Sequence, residues 1–118
     1  MSIEDKAKDL GRLIGQSTEY QALKRANDGL AGDKEAIGVL QRMEQLRMDA
    51  HRMMEKGERP TQEMEQELDG LLQKVQVNTT YQRLLVAQEN FDKTMARVNE
   101  WILEGIERGS TSSIITLG

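Results

Sequence analysis

The chain has 118 residues, no cysteine, and a formal net charge of −4 from 16 basic and 20 acidic side chains. Its length fits a single domain. The acidic balance disfavours a general nucleic-acid-binding protein, which needs concentrated Lys and Arg. The absence of cysteine excludes disulfides, thiolate catalysis and thiolate-held clusters supplied by this chain.

Membrane insertion and export are also disfavoured. No run of 18 apolar residues occurs, and the first residues lack the basic and then apolar segments of a signal peptide. The charged fraction is 31% and the aromatic fraction 3%, which favours long helices with solvated faces over a compact globule. We therefore expect a helical protein of the cytoplasm that does not contact membranes.

The first two predicted elements are short helices. Apolar residues recur on one helical face between residues 3 and 15. Ser17 is a good helix N-cap and should begin a second helix, which runs to about Leu30 and ends near Gly32.

The third element is a longer helix that Asp33 should cap and that should continue to Lys56. Gly57 suits the position after a helix end, because glycine adopts the left-handed conformation without steric cost. The apolar residues of this helix are three and four positions apart, which is the spacing of a coiled-coil seam. They are Ala36, Val39, Met43, Leu46, Ala50 and Met53.

A turn containing Pro60 separates this helix from a fourth, which should run from Thr61 to about Val75 with the same spacing. Asn78 then begins a fifth helical pattern, which Gly109 should end. The sequence leaves open whether the chain breaks or only bends between Val75 and Asn78.

Two stretches, 17–30 and 78–91, repeat one pattern at an offset of 78 − 17 = 61 positions. Each opens with an N-cap residue, and Thr, Tyr, Gln, Leu and Ala recur in register. Each also spaces its large apolar residues about three or four apart. The two helices should therefore use equivalent faces, packed either against each other or against a partner chain.

The fifth helix is too long for a compact monomer. A continuous helix from Thr79 to Arg108 is about 45 Å long, whereas a compact chain of this size has a radius of gyration of about 13 Å. Part of its apolar stripe would face water unless a second chain covered it, so we expect a homo-oligomer. The candidate interface residues are Phe91, Met95, Val98, Trp101 and Ile102.

Residues 1–109 should form one helical domain, followed by a Ser/Thr-rich tail, residues 110–118. Two outcomes are open for this tail. It is either a loose terminus, as chain ends often are, or a docked or strand-paired segment. The second outcome is suggested by Ile114, Ile115 and Leu117, whose apolar side chains are costly to leave in water.

His51 is the only histidine, so hydrolytic or metal-dependent chemistry would have to involve it. Carboxylate-bridged diiron bundles use a Glu-x-x-His motif, and the residue three before His51 is Met48. No glycine-rich phosphate loop occurs. The sequence therefore predicts no catalytic, metal or cofactor site, and an enzyme or metal-binding bundle is the third-ranked alternative.

The third helix is the most basic element, and its end carries a candidate partner-binding edge. The edge consists of His51, Arg52, Lys56 and Arg59. Acidic residues are interleaved with these side chains, which is typical of a solvated helix face with weak ion pairs. An RNA contact at the same edge is the rival hypothesis.

The order of helix starts and turns resembles that of the YlbF/YmcA family of small bacterial helical proteins, and especially its YheA-like branch. The resemblance covers about residues 3–108. The features that carry it are Ser17, Asp33, the turn at 57–61 and Asn78.

The resemblance implies an all-α protein of long antiparallel helices that forms homodimers or larger assemblies and regulates without enzymatic activity. Relatives act in complexes that influence competence, sporulation, biofilm formation and RNA maturation. Some of those assemblies hold iron–sulfur clusters on cysteines. This chain has no cysteine, so cluster binding is not carried over.

The sequence thus predicts an all-α fold of four to five helices, arranged as a helical hairpin or bundle with a coiled-coil-like seam, in an oligomer. The leading hypothesis for function is a non-enzymatic adaptor that contacts itself and other regulatory proteins and needs no cofactor. The alternative is an RNA-associated factor that uses the basic edge of the third helix.

Overall fold

The computed structural model describes residues 2–117, and the side chains of residues 2–111. Within this range there are five helices and no strand. The helices are α1 (Ile3–Gly15), α2 (Thr18–Ala31), α3 (Lys34–Glu55), α4 (Gln62–Gln76) and α5 (Thr79–Leu117). The predicted all-α fold is confirmed.

Each helix begins after a residue whose side chain accepts a hydrogen bond from the backbone N–H three positions on. This bond satisfies one of the free N–H groups at a helix start. The capping residues are Ser2, Ser17, Asp33, Thr61 and Asn78. The starts predicted at the last four of these residues are confirmed.

Gly57 ends α3 as predicted. Its φ of +78° lies in the left-handed region that favours glycine. Gly57 N–H donates to the carbonyl of Met54 at 3.0 Å, and Glu58 N–H donates to that of Met53 at 2.8 Å. These two bonds form a Schellman motif, which satisfies carbonyls of the last turn.

The helix is interrupted between α4 and α5, which answers the question that the sequence left open. α4 ends at Gln76, and the N–H of Asn78 donates to the carbonyl of Val75 at 3.1 Å. The side-chain oxygen of Asn78 accepts from Tyr81 N–H at 2.9 Å and starts the next helix.

The predicted end of the fifth helix at Gly109 is wrong, because α5 continues to Leu117. A glycine in a helix interior costs only about 1 kcal/mol relative to alanine, and Gly109 has a negative φ here. The backbone from Ser110 to Leu117 is therefore helical and not strand-paired. The division into a domain of residues 1–109 and a tail of residues 110–118 stays a prediction.

The most extensive helix contact joins α2 to the first half of α5, and the two run antiparallel. At one end Tyr20 meets Phe91 edge to face, with ring centroids 5.5 Å apart. At the other end Gly29 faces Thr80. The repeated stretches thus pack against each other within one chain.

The repeat extends to the junctions that precede the two helices. Before α2, the side-chain amide of Gln21 donates to the carbonyl of Gly15 at 2.8 Å. Before α5, the side-chain amide of Gln82 donates to the carbonyl of Gln76 at 2.6 Å. Donors and acceptors are both 61 positions apart, so the two junctions are built in the same way.

Helices α3 and α4 form an antiparallel hairpin that connects α2 to α5. Every residue of the predicted α3 seam is buried or half-buried. Arg42 of α3 contacts Glu67 of α4 through two parallel hydrogen bonds of 2.6 and 3.0 Å. Hydrogen bonding to Glu67 raises the pKa of Arg42, and the same bonds lower the pKa of Glu67.

A hydrogen bond between two helix caps closes the base of the hairpin. The amide Nδ2 of Asn78 donates to Oδ2 of Asp33 at 3.1 Å, while Oδ1 of each side chain caps its own helix. The backbone N–H of Ala36 and the Asn78 amide hold the pKa of Asp33 below its ordinary value of 3.8. We call this contact the cap bridge.

The molecule is elongated because α5 is much longer than its partner. The radius of gyration is 21.7 Å, against about 13 Å for a compact domain of this length. α5 has 39 residues and α2 has 14, which correspond to about 58 and 21 Å. All described side chains from Asn99 to Thr111 are exposed. We call residues 99–111 the α5 extension.

We expect Val98→Asp to lower the free energy of unfolding by about 3 kcal/mol or more, because an unpaired carboxylate would enter an apolar contact. Val98 is buried, whereas Ala96 lies on the exposed face of the same helix. Ala96→Asp should therefore cost less than about 1 kcal/mol. Urea denaturation measures both changes, and an unchanged midpoint for Val98→Asp would contradict the packing described for α5.

We expect the cap bridge to make stability depend on pH. The folded pKa of Asp33 is depressed, so its contribution is present above the unfolded pKa and is lost as the pH falls through the folded pKa. In the Asn78→Asp variant both caps carry a carboxylate, and repulsion between the two carboxylates raises the folded-state pKa of one of them. This variant should therefore gain stability on acidification relative to Asn78→Ser, which keeps only a cap.

Thermal melts between pH 7 and pH 3 compare the two Asn78 variants. Ser17→Asp places a carboxylate at the equivalent cap of α2, which is bridged to no second cap among the described side chains, and serves as the control. Parallel pH profiles for Asn78→Asp and Asn78→Ser would rule out the cap bridge.

Candidate interaction surfaces

The α5 extension presents large apolar side chains to solvent. Trp101 is 60% exposed, and Ile102, Leu103 and Ile106 are 44, 63 and 62% exposed. Contiguous exposed apolar surface of this kind marks interaction sites. The extension is therefore the first candidate surface.

The predicted oligomer interface includes residues on both sides of the point where α5 stops packing against the rest of its chain. Phe91 packs on Tyr20, Met95 is half-buried, and Val98 is buried. Trp101 and Ile102 continue the same helix into the extension, where they are exposed. The five residues are thus not one free surface, and their role in an oligomer stays a prediction.

A long groove between α2 and α5 is a second surface, which the sequence analysis missed. Its wider half has a volume of about 690 Å³. Ala22, Arg25 and Asn90 line both this half and its continuation towards Arg97, so the two halves form one groove. We call it the α2–α5 groove.

The groove could have been found from the repeat, because its two walls use equivalent positions. A shift of 61 converts the lining residues of α2 into lining residues of α5. The first set is Ala22, Arg25, Ala26 and Gly29, and the second is Arg83, Val86, Ala87 and Asn90. The sequence alone does not show that these two helices pack against each other.

The groove is lined mainly by cationic side chains, whereas the whole chain has a negative net charge. Four cationic side chains and one carboxylate line it, although the net charge of the protein is −4. The five residues are Arg25, Arg83, Lys93, Arg97 and Glu19. Among the described side chains, only Lys93 of these cations forms an ion pair, with Glu89 at 3.4 Å.

The basic edge predicted on α3 is partly neutralised by its own helix. His51 Nε2 lies 3.0 Å from an oxygen of Glu55, and Arg52 lies 3.8 Å from Asp49. All four predicted edge residues, His51, Arg52, Lys56 and Arg59, are exposed. The structure places them near the α3–α4 turn, away from the α2–α5 groove.

The described part of the chain contains no group of three or more His, Cys, Asp or Glu side chains placed to hold a metal ion. No helix in residues 2–117 is both long and apolar enough to cross a membrane. The candidate surfaces described above consist of apolar and charged side chains on helices.

Comparison with known proteins identifies related sequences. The sequence model of the family described as "Control of competence regulator ComK, YlbF/YmcA" matches residues 3–107. A UPF0342 protein of Limosilactobacillus reuteri is 24% identical over 107 residues, which are 91% of this chain and 87% of that protein. One from Leuconostoc mesenteroides is 20% identical over 106 residues, covering 90% of this chain and 91% of its own length.

A third relative, a UPF0342 protein of Alkalihalophilus pseudofirmus, is 24% identical over 106 residues, which are 90% of each chain. The match spans all four complete helices and most of α5 in this chain. The family resemblance deduced from the helix starts is thereby confirmed. Membership of the YheA-like branch stays a prediction.

We expect His51→Ala to change the free energy of unfolding by less than about 0.5 kcal/mol, because an exposed i,i+4 pair contributes little. The variant should also support wild-type regulatory function in the cell. Chemical denaturation and complementation of a deletion strain measure the two effects. Lost complementation with an intact fold and oligomer would contradict the non-enzymatic interpretation.

Proposed function

The chain belongs to the YlbF/YmcA family, described as controlling the competence regulator ComK, and because of this membership we propose that it is a non-enzymatic helical adaptor in bacterial regulation. It acts through protein contacts as a homo-oligomer and binds other regulatory proteins in the cytoplasm. No cofactor takes part in this proposal.

The observation that carries the proposal is the α5 extension. Its described side chains are all exposed, and four of them are large and apolar. Leaving such surface in water is unfavourable by roughly 25 cal/mol per Å². A helix that leaves its own bundle with an apolar surface is suited to pack against another protein chain.

The regulatory part of the proposal is supported by the family description and by the kind of surfaces present. The family is named for control of a regulator. An adaptor needs exposed helix faces, and these are what the described residues offer.

An RNA-associated role at the α3 edge is the alternative. It is less well supported because Glu55 and Asp49 partly neutralise that edge, and RNA binding depends on uncompensated cationic charge. An electrophoretic mobility shift with cellular RNA, repeated at raised salt, tests it. Salt-sensitive binding that Arg52→Glu/Lys56→Glu abolishes would favour the RNA role over the adaptor.

We expect the wild-type protein to be at least dimeric at micromolar concentration, because a second chain would cover the α5 extension. Sedimentation equilibrium measures the mass against 13.4 kDa for one chain. Trp101→Asp/Ile106→Asp should shift the protein towards the monomer, while Arg47→Asp/Met48→Ser on α3 should not. A single species near 13.4 kDa for the wild type would overturn the homo-oligomer.

A further inference from the structure

We propose that the α2–α5 groove of one chain holds the α5 extension of a second copy, and that the contact is reciprocal. This inference rests on the proposed homo-oligomer and specifies the two surfaces that form it. Both surfaces lie on α5, on either side of Val98, so each chain carries one of each.

The occupant of the groove must complement cationic walls and an apolar floor. Arg25, Arg83 and Arg97 line the groove and form no ion pair among the described side chains. Between them lie the small apolar residues Ala26 and Ala87. An amphipathic helix that also carries acidic side chains matches this combination.

The α5 extension is such a helix. It carries three carboxylates, from Glu100, Glu104 and Glu107, against one cation, Arg108. Its exposed apolar residues border these carboxylates on one side, because Trp101 is three positions before Glu104 and Leu103 is four before Glu107. Opposite charges on the two surfaces favour their association.

The lengths of the two surfaces also agree. The groove follows α5 from Thr79 to Arg97, which is about 27 Å at 1.5 Å per residue. The described extension, Asn99 to Thr111, is about 18 Å long, and the helix continues to Leu117. One extension can therefore lie within one groove along its whole described length.

The extension cannot fill the groove of its own chain. It continues the same α5 helix that forms one wall of that groove, and a continuous helix does not fold back on itself. The extension must therefore come from another chain. Because every chain offers one groove and one extension, a two-fold axis satisfies both and closes the assembly as a dimer.

Two other occupants fit less well. Face-to-face pairing of two grooves would bring cationic walls together, and like charges in contact are unfavourable. A single-stranded RNA would use the cations, but no aromatic side chain lines the groove for bases to stack on. The apolar floor would also remain uncovered.

A charge-swap experiment tests the pairing with full-length protein. The groove variant is Arg25→Glu/Arg83→Glu/Arg97→Glu, and the extension variant is Glu100→Lys/Glu104→Lys/Glu107→Lys. Each variant places like charges on its two surfaces, so each should dissociate at least about 100-fold more readily than the wild type. An equimolar mixture should form a heterodimer of wild-type-like affinity, because both reciprocal contacts then pair opposite charges.

The matched control is Arg12→Glu/Arg47→Glu/Arg52→Glu. These three exposed arginines lie outside the groove, and the control changes the net charge by the same amount as the groove variant. Sedimentation velocity measures association, and circular dichroism checks that each variant keeps its helices. Trp101 is the only tryptophan, so a blue shift of its emission on mixing reports that the extension has become covered.

Dissociation of both variants, with recovery on mixing and a shifted Trp101 emission, supports the proposal. If both variants remain as oligomeric as the wild type, the groove–extension pairing is wrong while the homo-oligomeric adaptor stands. If the wild type is monomeric, the proposed homo-oligomer itself fails. Binding of RNA that the groove variant loses, without any self-association, would overturn the proposal in favour of a nucleic-acid groove.

Discussion

The antiparallel packing of α2 against the first half of α5 is the contact on which the rest of the molecule depends. It is the most extensive contact between helices, and it contains buried side chains from both, Leu23 of α2 and Ala87 of α5. α2 is 14 residues long and α5 is 39, so α2 can cover only the first part of its partner. The extension follows from this difference in length, and the groove lies between the two helices where they pack.

The cap bridge between Asp33 and Asn78 determines how the α3–α4 hairpin leaves this pair. Each side chain caps its own helix with one oxygen, and the remaining polar atoms join the two caps. The hairpin therefore begins and ends at one point. The bidentate contact of Arg42 with Glu67 joins its two helices farther along. The Arg42–Glu67 contact is exposed to solvent and the cap bridge is only part-buried, so apolar burial along the seam supplies most of the stability of the hairpin.

The distribution of charge along α5 underlies the proposed assembly. Although the protein is acidic overall, cationic side chains line the α2–α5 groove and carboxylates lie along the α5 extension. In the proposed dimer, a two-fold axis pairs each groove with the extension of the other chain, whereas pairing two grooves would bring like charges together. The proposed self-association requires only apolar and charged side chains on helices.

The sequence by itself determined the helices, because caps and turns act through neighbours within a few positions. Ser17, Asp33 and Asn78 begin helices for this reason, and Gly57 ends one through its left-handed backbone. It could not determine that α5 continues past Gly109, since the cost of one helical glycine is small. Only the tertiary structure decided that the repeated stretches pack on each other. That packing depends on contacts between residues 51 to 71 positions apart, such as Gly29 with Thr80 and Tyr20 with Phe91. It creates the groove and separates the buried part of the α5 stripe from the exposed part.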